Sequence, residues 1–195
     1  MSVTALATTS PSSVSDKKKK DTSTCLVYPT RFTYEASHFE YSVYAPSSRF
    51  LRELRSVFPD LSPKQQKSVL VIPVIQHCQR DMVGITNDVN HERDVKLETF
   101  VSWGKRVVTR LRSVGMWADI MDPASGFPIF SAAGPTPYPD VQGTQALTQY
   151  DVQNVGCCHI LLHPTWKSHI YPATMFTTAP SDILVKVINE IAEAE

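Results

Sequence analysis

The sequence predicts an α+β domain in which an antiparallel or mixed sheet packs against helices. Residues 38–44 alternate between apolar and polar side chains, as a strand with one face in water does. Residues 69–75 are apolar at both parities, which is typical of a strand covered on both faces. Residues 90–114 repeat apolar side chains at steps of three and four, and this spacing predicts the longest helix. Together these stretches supply a sheet and the helix that covers it.

Shorter elements complete the predicted domain. Ser47 or Ser48 caps a short helix that ends at Pro59, and Ser181 or Asp182 opens the last helix. Residues 117–121 form a short strand, residues 122–126 a turn, and residues 127–130 the second arm of a hairpin. Residues 131–150 are predicted as a long functional loop, and residues 170–178 as the antiparallel partner of a strand that follows Gly156. Pro73 predicts a bulge or an edge position in its strand.

Composition and charge exclude several function classes. The chain has 195 residues, of which 42% are hydrophobic, and this suits one domain with a sizeable core. Lys and Arg together number 19, as do Asp and Glu, so the basic surplus typical of nucleic-acid binding is absent. No apolar stretch reaches the roughly 20 residues of a membrane span. The sequence therefore predicts neither a nucleic acid nor a membrane as the partner.

The amino-terminal region and the cysteines suggest a compartment. Residues 1–24 are rich in Ser, Thr and Lys, which predicts a disordered tail before a single domain at residues 25–195. The tail has no apolar signal-peptide core, and no arginine precedes Arg31, which argues against a mitochondrial presequence. Four cysteines, two of them adjacent, are a poor disulfide framework and predict a reducing, cytoplasmic environment. The cysteines are Cys25, Cys78, Cys157 and Cys158.

The adjacent cysteines stand at the head of an apolar run and are the candidate site. Gly156 precedes them and leaves room for a bulky group beside the backbone. On a strand, side chains alternate between faces, so Cys158 shares an apolar face with Ile160 and Leu162. We therefore expect Cys158 to be buried. Cys157 is either a second core cysteine or a reactive thiol, because its face also carries His159 and His163, and protonated imidazoles favour thiolate.

No motif for a common enzyme class is present: G-x-G-x-x-G, a P-loop, H-E-x-x-H and C-x-x-C are all missing. Zinc held by Cys157, Cys158, His159 and His163 is disfavoured, because residues six apart on a strand lie roughly 20 Å from each other. A cysteine-dependent thiol enzyme is an open alternative, with Cys157 as nucleophile and Asp119 as the orienting carboxylate. No local signature supports it.

Two stretches together resemble a known family. One is G-M-W-A-D-I-M-D-P-A-S-G at residues 115–126, and the other is V-G-C-C-H-I-L-L-H-P-T-W-K-S-H at residues 155–169. In this order and separation they resemble the cobalamin trafficking proteins of the methylmalonic aciduria and homocystinuria type D family. The likeness extends from about His38 to the last helix. The adjacent cysteines combined with W-A-D-x-x-D-P are the specific part of the signal.

The resemblance implies a fold and a function beyond those that the residues predict. The implied fold is a nitroreductase-like sandwich without flavin. The implied function is a non-enzymatic adaptor that joins the cobalamin-processing type C protein as a heterodimer. The adaptor directs cobalamin toward methionine synthase in the cytosol or methylmalonyl-CoA mutase in mitochondria, and it binds no cofactor alone. The family's cobalt-ligating thiol falls on Cys157, with Cys158 as the alternative, and thiolate is a suitable soft ligand.

The expected partner surface surrounds the cysteines. Gly156 and His159 adjoin them, and Trp166 is expected to be an exposed aromatic anchor of an interface. The rival function is a flavin-dependent reductase of the nitroreductase fold. It would need a phosphate-binding cluster of basic residues, and the candidates are spread over two helices, where they are expected to be solvated. These are Arg49, Arg52, Arg55, Arg106, Arg110 and Arg112.

Overall fold

A computed structural model of the chain describes residues 23–156 and 158–194. Within that part, seven strands and five helices form. The strands are β1 (Thr24–Tyr34), β2 (Ser37–Ala45), β3 (Leu70–His77), β4 (Ala118–Ile120), β5 (Asp151–Val155), β6 (Cys158–Leu162) and β7 (Ile170–Thr177). The helices are α1 (Ser48–Leu54), α2 (Pro63–Ser68), α3 (Asn87–Ser113), α4 (Asp140–Thr148) and α5 (Ser181–Glu193). The α+β class predicted from the sequence is confirmed.

Five strands make the central sheet, in the order β1-β2-β3-β7-β4, and every neighbouring pair is antiparallel. β5 and β6 pair with each other in a separate two-stranded sheet. The predicted pairing of residues 170–178 with the cysteine strand is wrong, because β7 pairs with β3 and β4 instead. The strand that does pair with β6 is β5, which has only two apolar residues and was not predicted as a strand.

Both faces of the central sheet are covered. On one face, α3 and α5 pack over alternate strand residues in the largest core cluster, which includes Phe39, Trp103 and Ile188. On the other face lie α1, α4 and the chain around Tyr138, which pack on β3 and β7. The expectation that β2 has one wet face is therefore wrong: Glu40 and Ser42 are only 5% and 4% exposed.

Helix α3 shows how local sequence and packing agree. Thr86 caps its start by accepting a hydrogen bond from the Val89 amide, and Gly115 follows its end at a φ of +79°. Gly104 lies against β4, where an added Cβ would come 2.7 Å from Ile120 Cδ1. The glycine thus allows the helix to approach the sheet, as its place in the apolar stripe predicts.

Pro73 lies inside the sheet rather than at a bulge or an edge. Its strand, β3, has β2 on one side and β7 on the other. The pairs Tyr41–Val74 and Tyr44–Val71 keep a single register across the proline, so no residue is inserted there. The prediction of a bulge or an edge is therefore wrong.

The segment between β4 and β5 also differs from its prediction. Residues 127–130 return beside β4 through the single bridge of Met121 with Pro128, and they do not extend into a strand. The expected loop at residues 131–150 contains helix α4, which contacts β7 and β6. None of the helices in the described ranges has the length and apolar character needed to cross a bilayer.

The predicted tail at residues 1–24 lies almost entirely outside the described residues. The described chain starts at Ser23, whose hydroxyl accepts a hydrogen bond from the Ser47 amide at 3.0 Å. β1 begins at Thr24, which pairs with Ala45. Residues 25–195 as one domain remain a prediction.

Candidate functional site

The β5–β6 hairpin carries the candidate site. Its ladder runs from the pair Asp151–Leu162 to the pair Val155–Cys158, and residues 156 and 157 alone connect the two strands. Gly156 has a φ of +62°, a backbone conformation that residues with a side chain rarely adopt. A Cβ built on this glycine would meet nothing within 4 Å, so the space beside it is open. A large group can therefore approach the backbone next to the cysteines.

Exposure along β6 and the residue that follows it depends on depth rather than face. Near the connection, the exposed residues include Asn154, Cys158 and His159. At the other end, Leu161 and His163 are only 1% and 2% exposed. We call the half of the hairpin next to Gly156 the tip, and the half next to Tyr150 and His163 the base. The tip is the part of the hairpin that a partner can reach.

This gradient overturns the parity argument for Cys158. Cys158 is exposed instead of packed in an apolar layer, and its expected face-mates Ile160 and Leu162 are half-buried. His163, expected on the mixed face that carries Cys157 and His159, is buried. Cys157 lies outside the described residues, so the preference for it as ligand stays a prediction.

A cluster of polar and aromatic side chains holds the base of the hairpin to the central sheet. Glu40 on β2 is its centre: Oε1 accepts hydrogen bonds from His163 Nε2 at 2.8 Å and from the Tyr150 hydroxyl at 3.2 Å. Glu40 Oε2 accepts one from Arg31 Nε at 3.0 Å. With Trp166, these residues form the base cluster. It joins β1 and β2 to both ends of the hairpin.

Hydrogen bonds fix the tautomer of His163. Its Nδ1 accepts from the backbone amides of Thr165 and Trp166, at 3.1 and 3.0 Å. A ring nitrogen that accepts a hydrogen bond carries no proton. Nε2 therefore carries the proton and donates a hydrogen bond to Glu40. Both ring nitrogens are thus engaged within the protein. This makes His163 a structural residue and not a ligand.

Glu40 remains a carboxylate in spite of its burial. Burial disfavours the charged form and is the largest single influence on its pKa. The hydrogen bonds from His163, Arg31 and Tyr150 together outweigh it, and the pKa of Glu40 is lowered from its usual 4.5. Burial beside this carboxylate raises the pKa of Tyr150, which therefore keeps its proton.

Trp166 lies within the base cluster instead of standing free as an interface anchor. Its ring stacks on His163 at 4.5 Å between centroids, and the Arg31 guanidinium covers it at 4.6 Å. Arg31 also donates to the Thr165 hydroxyl at 3.1 Å. Trp166 is half-buried, so the premise of an exposed tryptophan is wrong.

The base cluster was not found from the sequence. Glu40 and its partner His163 are 123 residues apart in the chain, and no local pattern connects them. The one available signal was the position of Glu40 between two aromatic residues of a strand. A carboxylate on a strand needs hydrogen-bond or ion-pair partners if its face of the sheet is covered.

The other described cysteines are shielded. Cys78 is fully buried, and burial raises its pKa to about 12. Cys25 is half-buried, donates to the Val27 carbonyl, and has a pKa raised chiefly by burial. A thiol with a raised pKa is a poor nucleophile and a poor metal ligand at neutral pH. Among the described cysteines, Cys158 is the exposed one.

The structure gives Asp119 a structural role. Its side chain is fully buried and accepts hydrogen bonds from the amides of Ile120, Phe130 and Ser131. Arg112 approaches it at 3.8 Å. The carboxylate thus anchors the segment after the turn at residues 122–126. Over residues 23–156 and 158–194, no three His, Cys, Asp or Glu side chains are grouped so that they could hold a metal ion.

The basic residues considered for a flavin phosphate lie apart. Arg110 pairs with Glu190 on α5 at 3.4 Å, and Arg112 donates to the Ala118 carbonyl. Arg49 and Arg52 instead line a cavity of about 650 Å³ between α1 and α4, together with Phe50 and Tyr138. Arg49 is paired there with Glu53 at 3.2 Å. The six arginines therefore do not converge on one site.

Comparison with known proteins agrees with the resemblance. A sequence model of the family described as methylmalonic aciduria and homocystinuria type D protein matches residues 4–189. The curated proteins named cobalamin trafficking protein CblD from mouse and human are 28% and 26% identical over 149 residues, which is 76% of this chain. The corresponding protein from chicken is 27% identical over the same length.

The chain spans about half the length of these relatives, since the matched residues cover 49% of each. The family match, in contrast, covers nearly all of this chain and includes the hairpin with its two cysteines. The chain belongs to the methylmalonic aciduria and homocystinuria type D protein family.

Proposed function

We propose that this protein is a non-enzymatic adaptor in intracellular cobalamin trafficking. The support is the family match over residues 4–189 and the name that the mouse, human and chicken relatives share. As an adaptor it binds the cobalamin-processing type C protein and directs the cofactor toward methionine synthase or methylmalonyl-CoA mutase. It acts in the cytoplasm and holds cobalamin only through that partner.

The proposed contact with the cofactor is a cobalt–thiolate bond made by the hairpin tip. The observation that carries this step is the exposure of Cys158, next to Cys157 and to the open space beside Gly156. Thiolate is a soft donor that suits cobalt, and cobalt in a corrin has axial positions that a protein ligand can fill.

Either adjacent cysteine can be the ligand. Cys157 is the first candidate by family resemblance, and the exposure of Cys158 makes it a full alternative. Gly156 and His159 are proposed to line the same contact. Trp166, which is half-buried, is proposed to contribute at its edge.

The experiment mixes the purified protein with the type C protein carrying cob(II)alamin and records the visible spectrum. We expect a cobalt–sulfur band with the wild-type chain and with Cys25→Ser, which alters a half-buried thiol elsewhere. The Cys157→Ser/Cys158→Ser double variant should bind the partner without the band. The single variants identify the ligand.

Two outcomes would contradict this function. A band that survives in the double variant would exclude the hairpin thiols as ligands. A purified sample with flavin absorbance and substrate turnover would favour a reductase of the nitroreductase fold over the adaptor.

A further inference from the structure

We infer that Glu40 is a positioning residue that clamps the β5–β6 hairpin in the orientation in which its tip meets the partner. The clamp is a property of the isolated protein. Its consequence for cobalt ligation rests on the function proposed above.

The two ends of the hairpin converge on this one carboxylate. Tyr150 immediately precedes β5 and His163 immediately follows β6, just outside the last ladder pair, Asp151–Leu162. Both donate to Glu40 Oε1, at 3.2 and 2.8 Å. Glu40 therefore closes the open end of the hairpin and ties it to β2 at the same point.

The hairpin depends on such a tie because its own ladder is small. It has two strands of five residues each, and an isolated two-stranded ladder is marginal in water. Leu161 is its one deeply buried apolar side chain in the described part, packed with Ile75 and Ile170. Val152 and Tyr150 pack against the same small cluster but are only half-buried. Without the clamp, this small apolar contact would have to fix the direction of the whole tip.

A carboxylate is specifically suited to the position. Its two oxygens serve three donors, and Arg31 on Oε2 also reaches Thr165, in the turn that follows β6. The side chains of Glu40 and His163 are only 6% and 2% exposed, so water cannot replace a lost acceptor. Glu40→Gln turns one acceptor into a donor that faces Arg31. Glu40→Leu leaves the buried His163 Nε2 and the Tyr150 hydroxyl without their acceptor, whereas the Arg31 side chain is 52% exposed and keeps its bond to Thr165.

Amide hydrogen exchange of the isolated protein tests the clamp directly. In Glu40→Leu we expect the β5 and β6 amides to exchange at least about tenfold faster, while those of β3 and β7 change less than about twofold. Glu40→Gln and Tyr150→Phe should give smaller increases in the same amides. These milder variants decide the question if Glu40→Leu does not fold.

Glu190→Gln is the matched control, because it removes a carboxylate that pairs with Arg110 on the opposite helical layer. It should leave hairpin exchange unchanged. Wild-type protection of β5 and β6 in folded Glu40→Leu, or in both milder variants when Glu40→Leu fails to fold, would overturn the clamp.

The cobalt–sulfur band separates positioning from a merely structural role. With the type C protein and cob(II)alamin at saturation, Glu40→Gln should bind the partner but show a several-fold smaller band, and Glu190→Gln should show the wild-type band. A wild-type band in Glu40→Gln despite faster hairpin exchange would overturn the positioning role. If the wild-type chain gives no band, the proposed function fails, and the exchange data alone judge the clamp.

Discussion

The central sheet and the β5–β6 hairpin use the same antiparallel pairing but are stabilised differently. The sheet has helices on both faces, and its interior strand β3 is buried along seven of its eight residues. The deeply buried residues of the hairpin lie at its base, where a small apolar cluster around Leu161 and a few polar contacts around Glu40 hold it to the sheet. Apolar packing thus fixes the scaffold, while hydrogen bonds to one carboxylate fix the direction of the proposed site. Substitutions in the two regions should therefore differ in how much stability they remove and in how much of the molecule they affect.

The largest effect is expected in the sheet layer. Trp103 on α3 is fully buried among Phe32, Phe39 and Phe100. Trp103→Ala should lower the free energy of unfolding by about 3–5 kcal/mol. Urea unfolding should show one transition at a lower midpoint, with the hairpin lost together with the sheet. A loss below about 1 kcal/mol would show that this layer does not dominate stability.

A matched truncation in the hairpin should act locally. Leu161 is 1% exposed, and removing a buried leucine side chain costs about 2–5 kcal/mol. We expect Leu161→Ala to increase exchange at the β5 and β6 amides and to leave the β3 and β7 amides near wild type. The urea midpoint should fall less than in Trp103→Ala. Equal acceleration in both regions would show that hairpin and sheet unfold as one unit.

Acid should weaken the hairpin through Glu40. A group with a lowered pKa in the folded state contributes its stability fully above its ordinary pKa, here 4.5, and loses it as the pH falls through the folded value. The groups that face it are Arg31, Tyr150 and His163, with Tyr44 nearby.

Exchange measured between pH 7 and pH 3 should therefore show wild-type hairpin protection approaching that of Glu40→Gln below pH 4.5. Above that pH the two proteins should differ by a constant factor, after correction for intrinsic exchange. A difference that persists unchanged to pH 3 would show that the charge of Glu40 does not hold the hairpin.

The smallest effect is expected at the tip. Because Cys158 is exposed, Cys158→Ser should change the free energy of unfolding by no more than about 0.5 kcal/mol. Cys78→Ser is the matched control, since it places a hydroxyl in a fully buried position at a cost of about 1–3 kcal/mol. Thermal melts compare the two. If Cys158→Ser costs as much stability as Cys78→Ser, Cys158 is buried, as the sequence predicted.

The sequence predicted elements whose signal is local. Helix α3, helix α5 and strand β3 follow from apolar spacing, and the turn before Gly126 follows from its residue types. The partner of β6 could not be predicted in this way. β5 has little apolar character, and the connection through Gly156 and Cys157 is not a common hairpin turn pair.

The burial of the site was mispredicted for a related reason. Parity assigns faces to a strand but does not say how far along its length the core extends. In β6 the core ends near Leu161, so Cys158 is exposed whichever face it takes. The burial of His163 depends on Glu40, which is 123 residues away in the chain. Long-range pairing of this kind leaves no local pattern.

Cobalt K-edge X-ray absorption tests the central claim most directly. The sample is the complex of this protein with the type C protein and cob(II)alamin, made with wild-type chain, with Cys25→Ser and with the Cys157→Ser/Cys158→Ser double variant. We predict a sulfur neighbour at cobalt in the first two complexes and only nitrogen or oxygen in the third. A sulfur neighbour that remains in the double variant, or none in the wild-type complex, would contradict ligation by the hairpin tip.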